Sequence, residues 1–134
     1  MTVVIDTNIV LALYDQGDRD HERVIAFYDR LEDDVVTTPI IVAEMDHLVH
    51  QRAGRSAAER LWTDLDTGAI QVRWWSTALT ETIAIARSRP ALGLADASLL
   101  ALAPVVRTTR IATLDRTHFD AALTPDGEPY TLLP

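Results

Sequence analysis

The sequence predicts an α/β fold of three layers, in which a mainly parallel central sheet lies between two layers of helices. Short apolar runs rich in β-branched residues alternate along the chain with longer segments of helical periodicity, a pattern typical of βαβ units. The first run, Val3-Val4-Ile5, has no polar position, as expected of a central parallel strand buried on both faces. With 134 residues, of which 48% are hydrophobic, the chain has the length of one ordinary domain with a substantial core.

In the first half of the chain, two strands are separated by two helices, and a third helix follows. The predicted order is a strand at 3–5, a helix at 9–14, a helix at 20–31, a strand at 35–38 and a helix from 39 to about 52. Thr38 is the expected N-cap of the last helix, with Pro39 at its first position, where a missing N–H costs nothing. The acidic residues 32–34 are expected to form a solvated loop.

The second half continues the alternation of strands and helices. A basic turn around Gly54 leads into a helix that Ser56 and Glu59 could cap reciprocally, and this helix ends at Gly68. Next come a strand at 70–74, a helix at 76–89, a helix rich in alanine and leucine at 94–103, and strands at 110–115 and 130–133. No internal repeat or domain boundary interrupts the pattern, so we expect residues 1–134 to form a single domain.

The composition excludes several classes of protein. No apolar run approaches the roughly 20 residues that span a bilayer, and the absence of cysteine excludes a disulfide scaffold. Because no basic region lies ahead of the first apolar stretch, we expect no signal peptide. A soluble cytoplasmic protein is therefore the expectation. The net charge of −8 disfavours a broad basic surface for nucleic acid, but it leaves room for phosphate binding through a metal ion and a few arginines.

Four acidic residues that are far apart in the sequence occupy comparable positions. Asp6 and Asp115 each end a predicted strand, and the carboxyl ends of parallel strands meet at one edge of a sheet. Asp96 opens a helix and Glu44 lies in the first turns of another, and such positions can point back to that edge. Carboxylates without thiolates suit Mg²⁺ or Mn²⁺ rather than zinc, and acids clustered around such ions suit phosphodiester hydrolysis.

Three of these acids, taken alone, also have a simpler structural explanation. Asp6 and its two polar neighbours could merely cap the helix that follows them. Asp96 is favoured at the start of its helix by the helix dipole, and Glu44 could reach water from the edge of an apolar stripe. The four positions together are what favours a common site.

Three further residues form a second possible metal-binding set, because they lie within about one helical turn of each other: Asp46, His47 and His50. Solvated helix side chains are the simpler interpretation of these residues. His118 lies close to Asp115 in the sequence and is interpreted as a loop residue.

The chain resembles the PIN-domain ribonucleases, and among them the toxins of VapBC-type toxin–antitoxin pairs. The resemblance spans essentially the whole chain and rests on four motifs in the family's order and spacing: Val4-Ile5-Asp6-Thr7-Asn8, Val42-Ala43-Glu44-Met45, Leu94-Ala95-Asp96-Ala97, and Ala112-Thr113-Leu114-Asp115-Arg116-Thr117-His118-Phe119. It implies that the acidic quartet of the family corresponds to Asp6, Glu44, Asp96 and Asp115. It also implies that Asn8 and Thr113 support the site through hydrogen bonds.

By this resemblance, residues 1–134 are a single PIN domain that cleaves RNA endonucleolytically with Mg²⁺ or Mn²⁺. Asp6 and Asp96 are the residues expected to bind the metal directly, and Glu44 and Asp115 would complete the catalytic site directly or through water. The resemblance further implies a homodimer that a cognate antitoxin neutralises in the cytoplasm. It does not indicate which RNA is cleaved.

Other functions agree less well with the sequence. An aspartyl-phosphate phosphotransferase also begins with a hydrophobic strand and an aspartate, but its second acid is replaced here by Asn8, and the chain has no lysine to contact phosphate. A PIN-like nuclease that is not a toxin, or a non-catalytic interaction module with an acidic pocket, stays an alternative. Metal-dependent RNA cleavage by the purified protein separates the nuclease from the module.

Overall fold

Five parallel strands form the central sheet of the computed structural model, which describes all residues from Met1 to Pro134. Their order across the sheet is β3-β2-β1-β4-β5, and every neighbouring pair is parallel. The strands comprise β1 (Thr2–Ile5), β2 (Asp34–Thr37), β3 (Gln71–Val72), β4 (Arg110–Ala112) and β5 (Thr131–Leu133). The all-parallel sheet agrees with the predicted fold class, and β1 lies at its centre.

The helices lie in two groups. The first three follow β1 and β2, as the chain moves from the centre of the sheet to β3 at its edge, and the last two follow β3, from which the chain crosses back past β1 to β4. The helices comprise α1 (Thr7–Tyr14), α2 (His21–Asp29), α3 (Pro39–Thr67), α4 (Ala78–Ser88) and α5 (Leu94–Val105). Helix α1 packs against α2 and α3, whereas α4 packs against α5. Since parallel crossovers are right-handed, the reversal of strand order places the two groups on opposite faces of the sheet. None of these helices is long and apolar enough to cross a membrane.

The hydrophobic core surrounds the central strand. Val3, Val4 and Ile5 of β1 are completely buried, and they belong to one cluster of 26 buried hydrophobic residues. This burial on both faces is what the uninterrupted apolar run predicted. Because the run ends at Ile5, the next residue, Asp6, lies at the carboxyl edge of the sheet. Its backbone N–H still forms a hydrogen bond with the neighbouring strand β4.

Strand β4 is shorter than the sequence predicted, and this changes the position of Asp115. The strand ends at Ala112, so Asp115 lies three residues beyond its end rather than at it. Ile5 pairs with Ala112, and the backbone N–H of Asp6 donates to the carbonyl of Ala112 at 3.0 Å. Thr113, and not Asp115, is therefore the residue that follows β4 as Asp6 follows β1. The predicted strand at 70–74 is likewise shorter, since only Gln71 and Val72 are paired.

The acidic segment 32–34 is not a solvated loop throughout. The side chain of Asp33 is only 8% exposed and accepts two hydrogen bonds from Arg110, at 2.8 and 3.3 Å. Asp34 is the first residue of β2. The ion pair between Asp33 and Arg110 thus links the starts of β2 and β4 at the amino edge of the sheet, a long-range contact that the local charge pattern did not indicate.

The predicted turn around Gly54 is a kink within α3. Gly54 has φ 84° and ψ −177°, a backbone conformation that is almost restricted to glycine. The predicted capping box beyond it does not describe this segment, because Glu59 accepts hydrogen bonds from Arg55, at 3.1 and 3.4 Å. At the other end of α3 the prediction is confirmed: the side chain of Thr38 caps the helix and Pro39 is its first residue.

We expect Gly54→Ala to lower the free energy of unfolding by roughly 1–3 kcal/mol, because an alanine there must hold a strained backbone conformation although no neighbouring atom obstructs its Cβ. Urea unfolding followed by circular dichroism measures this change. Gly17→Ala is the matched control, since Gly17 lies outside the left-handed region and its added Cβ meets only the Asp15 side chain, at 3.3 Å. Equal stability of the two variants would contradict the strain at Gly54.

Candidate active site

Asp6 occupies the junction between β1 and α1. It is the N-cap of α1, and its Oδ1 accepts a hydrogen bond of 2.7 Å from the backbone N–H of Thr7. The helix therefore begins at Thr7, two residues earlier than predicted. The capping role that the sequence suggested is real, but it uses only one carboxylate oxygen of Asp6.

The second oxygen of Asp6 is held by side chains from two separate segments. Thr113 donates from its Oγ1 to Asp6 Oδ2 at 2.8 Å, and the Asn8 amide donates to the same oxygen at 3.3 Å. Asn8 also accepts the backbone N–H of Leu114 at 2.9 Å through its Oδ1. The hydrogen bonds expected of Asn8 and Thr113 are therefore present, and they connect the segments that follow β1 and β4.

Burial makes the charge of Asp6 costly. The residue is only 5% exposed, and this burial raises the pKa of Asp6 from 3.8 to about 6. The hydrogen bonds from Thr113 and Thr7 favour the charged form, whereas the nearby charges of Asp96 and Glu44 disfavour it. A buried carboxylate beside other carboxylates is stabilised by a cation, and its environment is one that functional sites frequently show.

Asp96 and Asp115 are joined by a histidine. Asp96 lies in the first turn of α5, and its Oδ2 is 2.8 Å from Nδ1 of His118. The same ring nitrogen is 3.3 Å from Oδ2 of Asp115, so one ring N–H can donate to both carboxylates. Burial raises the pKa of Asp96 above 3.8, the contact with His118 opposes this shift, and the charges of Glu44 and Asp115 add to it.

The four acids predicted from the sequence converge on one edge of the sheet, but with different exposure. Asp6 is buried, Asp96 is mostly buried, and Asp115 is 40% exposed and accepts a hydrogen bond of 2.7 Å from Thr117. Glu44 is exposed, although its charge raises the pKa of both Asp6 and Asp96. Asp6 and Asp96 thus form the inner part of the cluster, and Glu44 and Asp115 form its rim.

His118 is a member of the site that the sequence analysis assigned only to a loop. It ends a short 3-10 turn, Arg116–His118, that begins directly after Asp115. The spacing of three residues from Asp115 would place both side chains on one side of a helical turn, which is the signal that sequence reasoning could have used. Its contact with Asp96 is a long-range one, and no local pattern indicates it.

The donor set fits a hard divalent cation better than zinc. It contains carboxylate oxygens with supporting amide and hydroxyl groups, and the chain has no thiolate. No group of three or more His, Asp or Glu side chains is already arranged to hold an ion. Mg²⁺ does not require such a group, because it typically binds one or two carboxylates and keeps several waters.

The alternative set on α3 is not supported by the geometry. Asp46 accepts a hydrogen bond from the indole N–H of Trp62, across the kink at Gly54, so it helps to hold the two parts of α3 together. His47 and His50 are exposed. With Asp46 engaged by Trp62 and both histidines exposed, solvated helix side chains describe His47 and His50.

The sequence matches a family model and a characterised protein over most of its length. Residues 3–122 match the model described as "PIN domain". The chain is 35% identical over 135 aligned positions to Ribonuclease VapC26 of Mycobacterium tuberculosis, and the alignment covers 98% of this chain and 100% of that protein. The matched range 3–122 spans the positions of all four acids.

Solved structures share the fold at lower sequence identity. VapC20 of Mycobacterium tuberculosis, described as a sarcin–ricin loop cleaving toxin, superposes with a TM-score of 0.76 at 18% identity, covering 87% of this chain and 92% of that one. A toxin–antitoxin complex from Klebsiella pneumoniae gives 0.68 at 19% identity, covering 90% and 92% of the two chains. FitAcB from Neisseria gonorrhoeae gives 0.63 at 23% identity, covering 99% and 97%. Sequence and fold agree that this chain belongs to the PIN domain family.

Proposed function

We propose that this protein is the toxin of a type II toxin–antitoxin pair and acts as a metal-dependent endoribonuclease. The observation that carries the proposal is the buried carboxylate of Asp6 beside the charges of Asp96 and Glu44 at the carboxyl edge of the sheet, with Asp115 next to Asp96. It is supported by the 35% identity to a ribonuclease along the whole chain. A non-toxin PIN-like nuclease and a non-catalytic interaction module are the alternatives that the experiments below distinguish.

The proposed roles follow from the exposure and the contacts of each acid. Asp6 and Asp96 would bind Mg²⁺ or Mn²⁺ directly, because they are the most buried of the four acids and gain most from a neutralising cation. The bound ion would supply an activated water and stabilise charge on the phosphate. Glu44 and Asp115, at the more exposed rim, would contact the ion through water or orient the attacking water.

The supporting residues would act on the orientation of the inner acids. Asn8 and Thr113 fix Oδ2 of Asp6, and the N–H of Thr7 fixes Oδ1. Nδ1 of His118 lies 2.8 Å from Asp96 and 3.3 Å from Asp115, so its N–H can donate to either carboxylate and would keep the two close together. Such contacts determine where the carboxylate lone pairs point, a property to which metal binding is sensitive.

The proposed partners are RNA as substrate, a cognate antitoxin as inhibitor, and a second copy of the chain in a homodimer. An antitoxin partner is supported by the fold shared with a chain of a toxin–antitoxin complex. Because the site concentrates negative charge, we expect the antitoxin to place an arginine close to the acidic quartet. The complex would act in the cytoplasm, where RNA is accessible.

Purified protein freed of antitoxin should cleave RNA with Mg²⁺ or Mn²⁺ and stop when EDTA is added. Asp6→Asn and Asp96→Asn should each lower the rate beyond the roughly 100-fold that loss of an outer contact to a metal ligand can cause. Gel assays on total RNA, with circular dichroism to check folding, measure this. Asp126→Asn removes an exposed acid from a distant turn and should leave the rate unchanged. Undiminished cleavage by folded Asp96→Asn protein would refute the assignment.

The metal-free protein should become more stable when Asp96 is replaced by Asn. A carboxylate whose folded-state pKa is raised destabilises the fold as pH rises above its ordinary pKa of 3.8, because the folded state releases its proton less readily than the unfolded chain. The gain in Tm for Asp96→Asn should therefore be present at neutral pH and shrink towards about pH 4. Thermal unfolding in EDTA at several pH values measures it.

A bound divalent cation should relieve the repulsion between the clustered carboxylates. Millimolar Mn²⁺ should raise the Tm of the parent more than NaCl of equal ionic strength, since the unfolded chain cannot assemble the site, and the increase should be smaller for Asp96→Asn. Acids that serve only as helix caps give the opposite pattern: no specific effect of Mn²⁺, and a modest loss of stability for Asp96→Asn. That pattern would leave the clustered site without support.

Expression of the protein alone should arrest bacterial growth, and co-expression of its cognate antitoxin should restore it. Asp96→Asn, produced at the same level, should permit growth, because the arrest depends on catalysis. Growth curves with immunoblots of the expressed protein measure both effects. Normal growth despite high levels of an active nuclease would reject the toxin role and favour a PIN-like nuclease of another kind.

A further inference from the structure

Two consecutive threonines at the end of β2 are completely buried and have no place in the site described above. Thr37 is the last residue of β2 and Thr38 is the N-cap of α3, and both are 0% exposed. Thr37 donates from its Oγ1 to the carbonyl of Ile5 at 3.1 Å. Ile5 directly precedes Asp6, so this bond fixes the backbone from which Asp6 departs.

Thr38 makes a second connection, to α5. Its Oγ1 accepts the backbone N–H of Ile41 at 3.3 Å and lies 2.7 Å from Oγ of Ser98, which is also 0% exposed. Ser98 donates its only proton to the carbonyl of Ala95 at 2.7 Å, so Thr38 must be the donor to Ser98. Each hydroxyl therefore uses its single proton, and the chain of bonds runs from the start of α3 to the first turn of α5.

These bonds connect the three elements that carry the inner acids and Glu44. Asp6 follows Ile5, Glu44 lies on the helix that Thr38 caps, and Asp96 lies between Ala95 and Ser98. We propose that Thr37, Thr38 and Ser98 are positioning residues that set the distances between these three acids and thereby the affinity of the site for a divalent metal. The inference rests on the proposed function, since it concerns the same metal site.

The burial of these hydroxyls distinguishes them from ordinary core residues. Burying a hydroxyl is unfavourable unless it is hydrogen-bonded, and valine would fill nearly the same volume without that requirement. Thr82 of α4 illustrates the contrast, because its Oγ1 is equally buried but has no hydrogen-bond partner. The hydroxyls of Thr37, Thr38 and Ser98 are instead paired with groups on separate elements of the site.

The test compares the Mn²⁺ affinity of Ser98→Ala with that of the parent, using isothermal titration of the full chain freed of antitoxin. Ser98→Ala removes two hydrogen bonds and leaves the cap of α3 in place. We expect its dissociation constant for Mn²⁺ to rise about tenfold, the lower end of the effect of outer contacts on a metal site. Thr38→Ser retains the hydroxyl and should keep an affinity close to that of the parent, although it loses a buried methyl group.

Thr108→Val is the matched control for lost hydrogen bonds. The hydroxyl of Thr108 also makes two, to the carbonyl of Thr2 and from the N–H of Arg110, but at the amino edge of the sheet. Thr108→Val should therefore lower the Tm without changing the Mn²⁺ affinity. Thr82→Val removes the unpaired buried hydroxyl, so it should leave the Mn²⁺ affinity unchanged and should not lower the Tm.

The outcomes separate this inference from the proposed function. A parent that neither binds Mn²⁺ nor cleaves RNA overturns both. A parent that does both, with a Ser98→Ala variant whose Mn²⁺ affinity equals that of Thr108→Val, overturns only the positioning role. A tenfold weaker affinity for Ser98→Ala, with unchanged affinity for Thr38→Ser and Thr108→Val, supports it.

Discussion

Ile5 of β1 pairs with Ala112 of β4 in a parallel ladder, and the arrangement of the site depends on this register. It places Asp6 beside Thr113, whose hydroxyl donates to the Asp6 carboxylate, and it brings Asn8 within reach of the segment after β4. A shift by one residue would turn every side chain of β1 to the other face. The same apolar residues that fill the core therefore determine where the buried carboxylate lies.

Electrostatics links the stability of this edge to its function. Asp6 and Asp96 are held in surroundings that raise their pKa values, and the chain has a net charge of −8. Glu44 lies near both of these acids, and Asp115 lies near Asp96. The protein itself supplies one neighbouring group that can donate to two of the four carboxylates, the imidazole of His118. A site of this kind favours a divalent cation from solution and the arginine of an inhibitor.

The sequence predicted the parallel sheet, the order of the elements and the convergence of four acids, because apolar periodicity and strand ends are local signals. It did not predict the position of Asp115 beyond β4, the burial of Asp33 against Arg110, or the contact of His118 with Asp96. These depend on contacts between residues distant in the chain. The sequence predicted one part of the hydrogen-bond chain through Thr38, its role as helix cap, but not its hydrogen bond with Ser98.

We propose that the acidic edge of the sheet binds a divalent metal ion. Anomalous X-ray diffraction from crystals grown with Mn²⁺ tests it most directly, because the signal locates the ion without assuming its ligands. We expect an anomalous peak in direct contact with carboxylate oxygens of Asp6 and Asp96, and its loss in crystals of Asp96→Asn. A well-ordered Mn²⁺ peak at another position, such as beside His47 and His50, with none near Asp6, would contradict it.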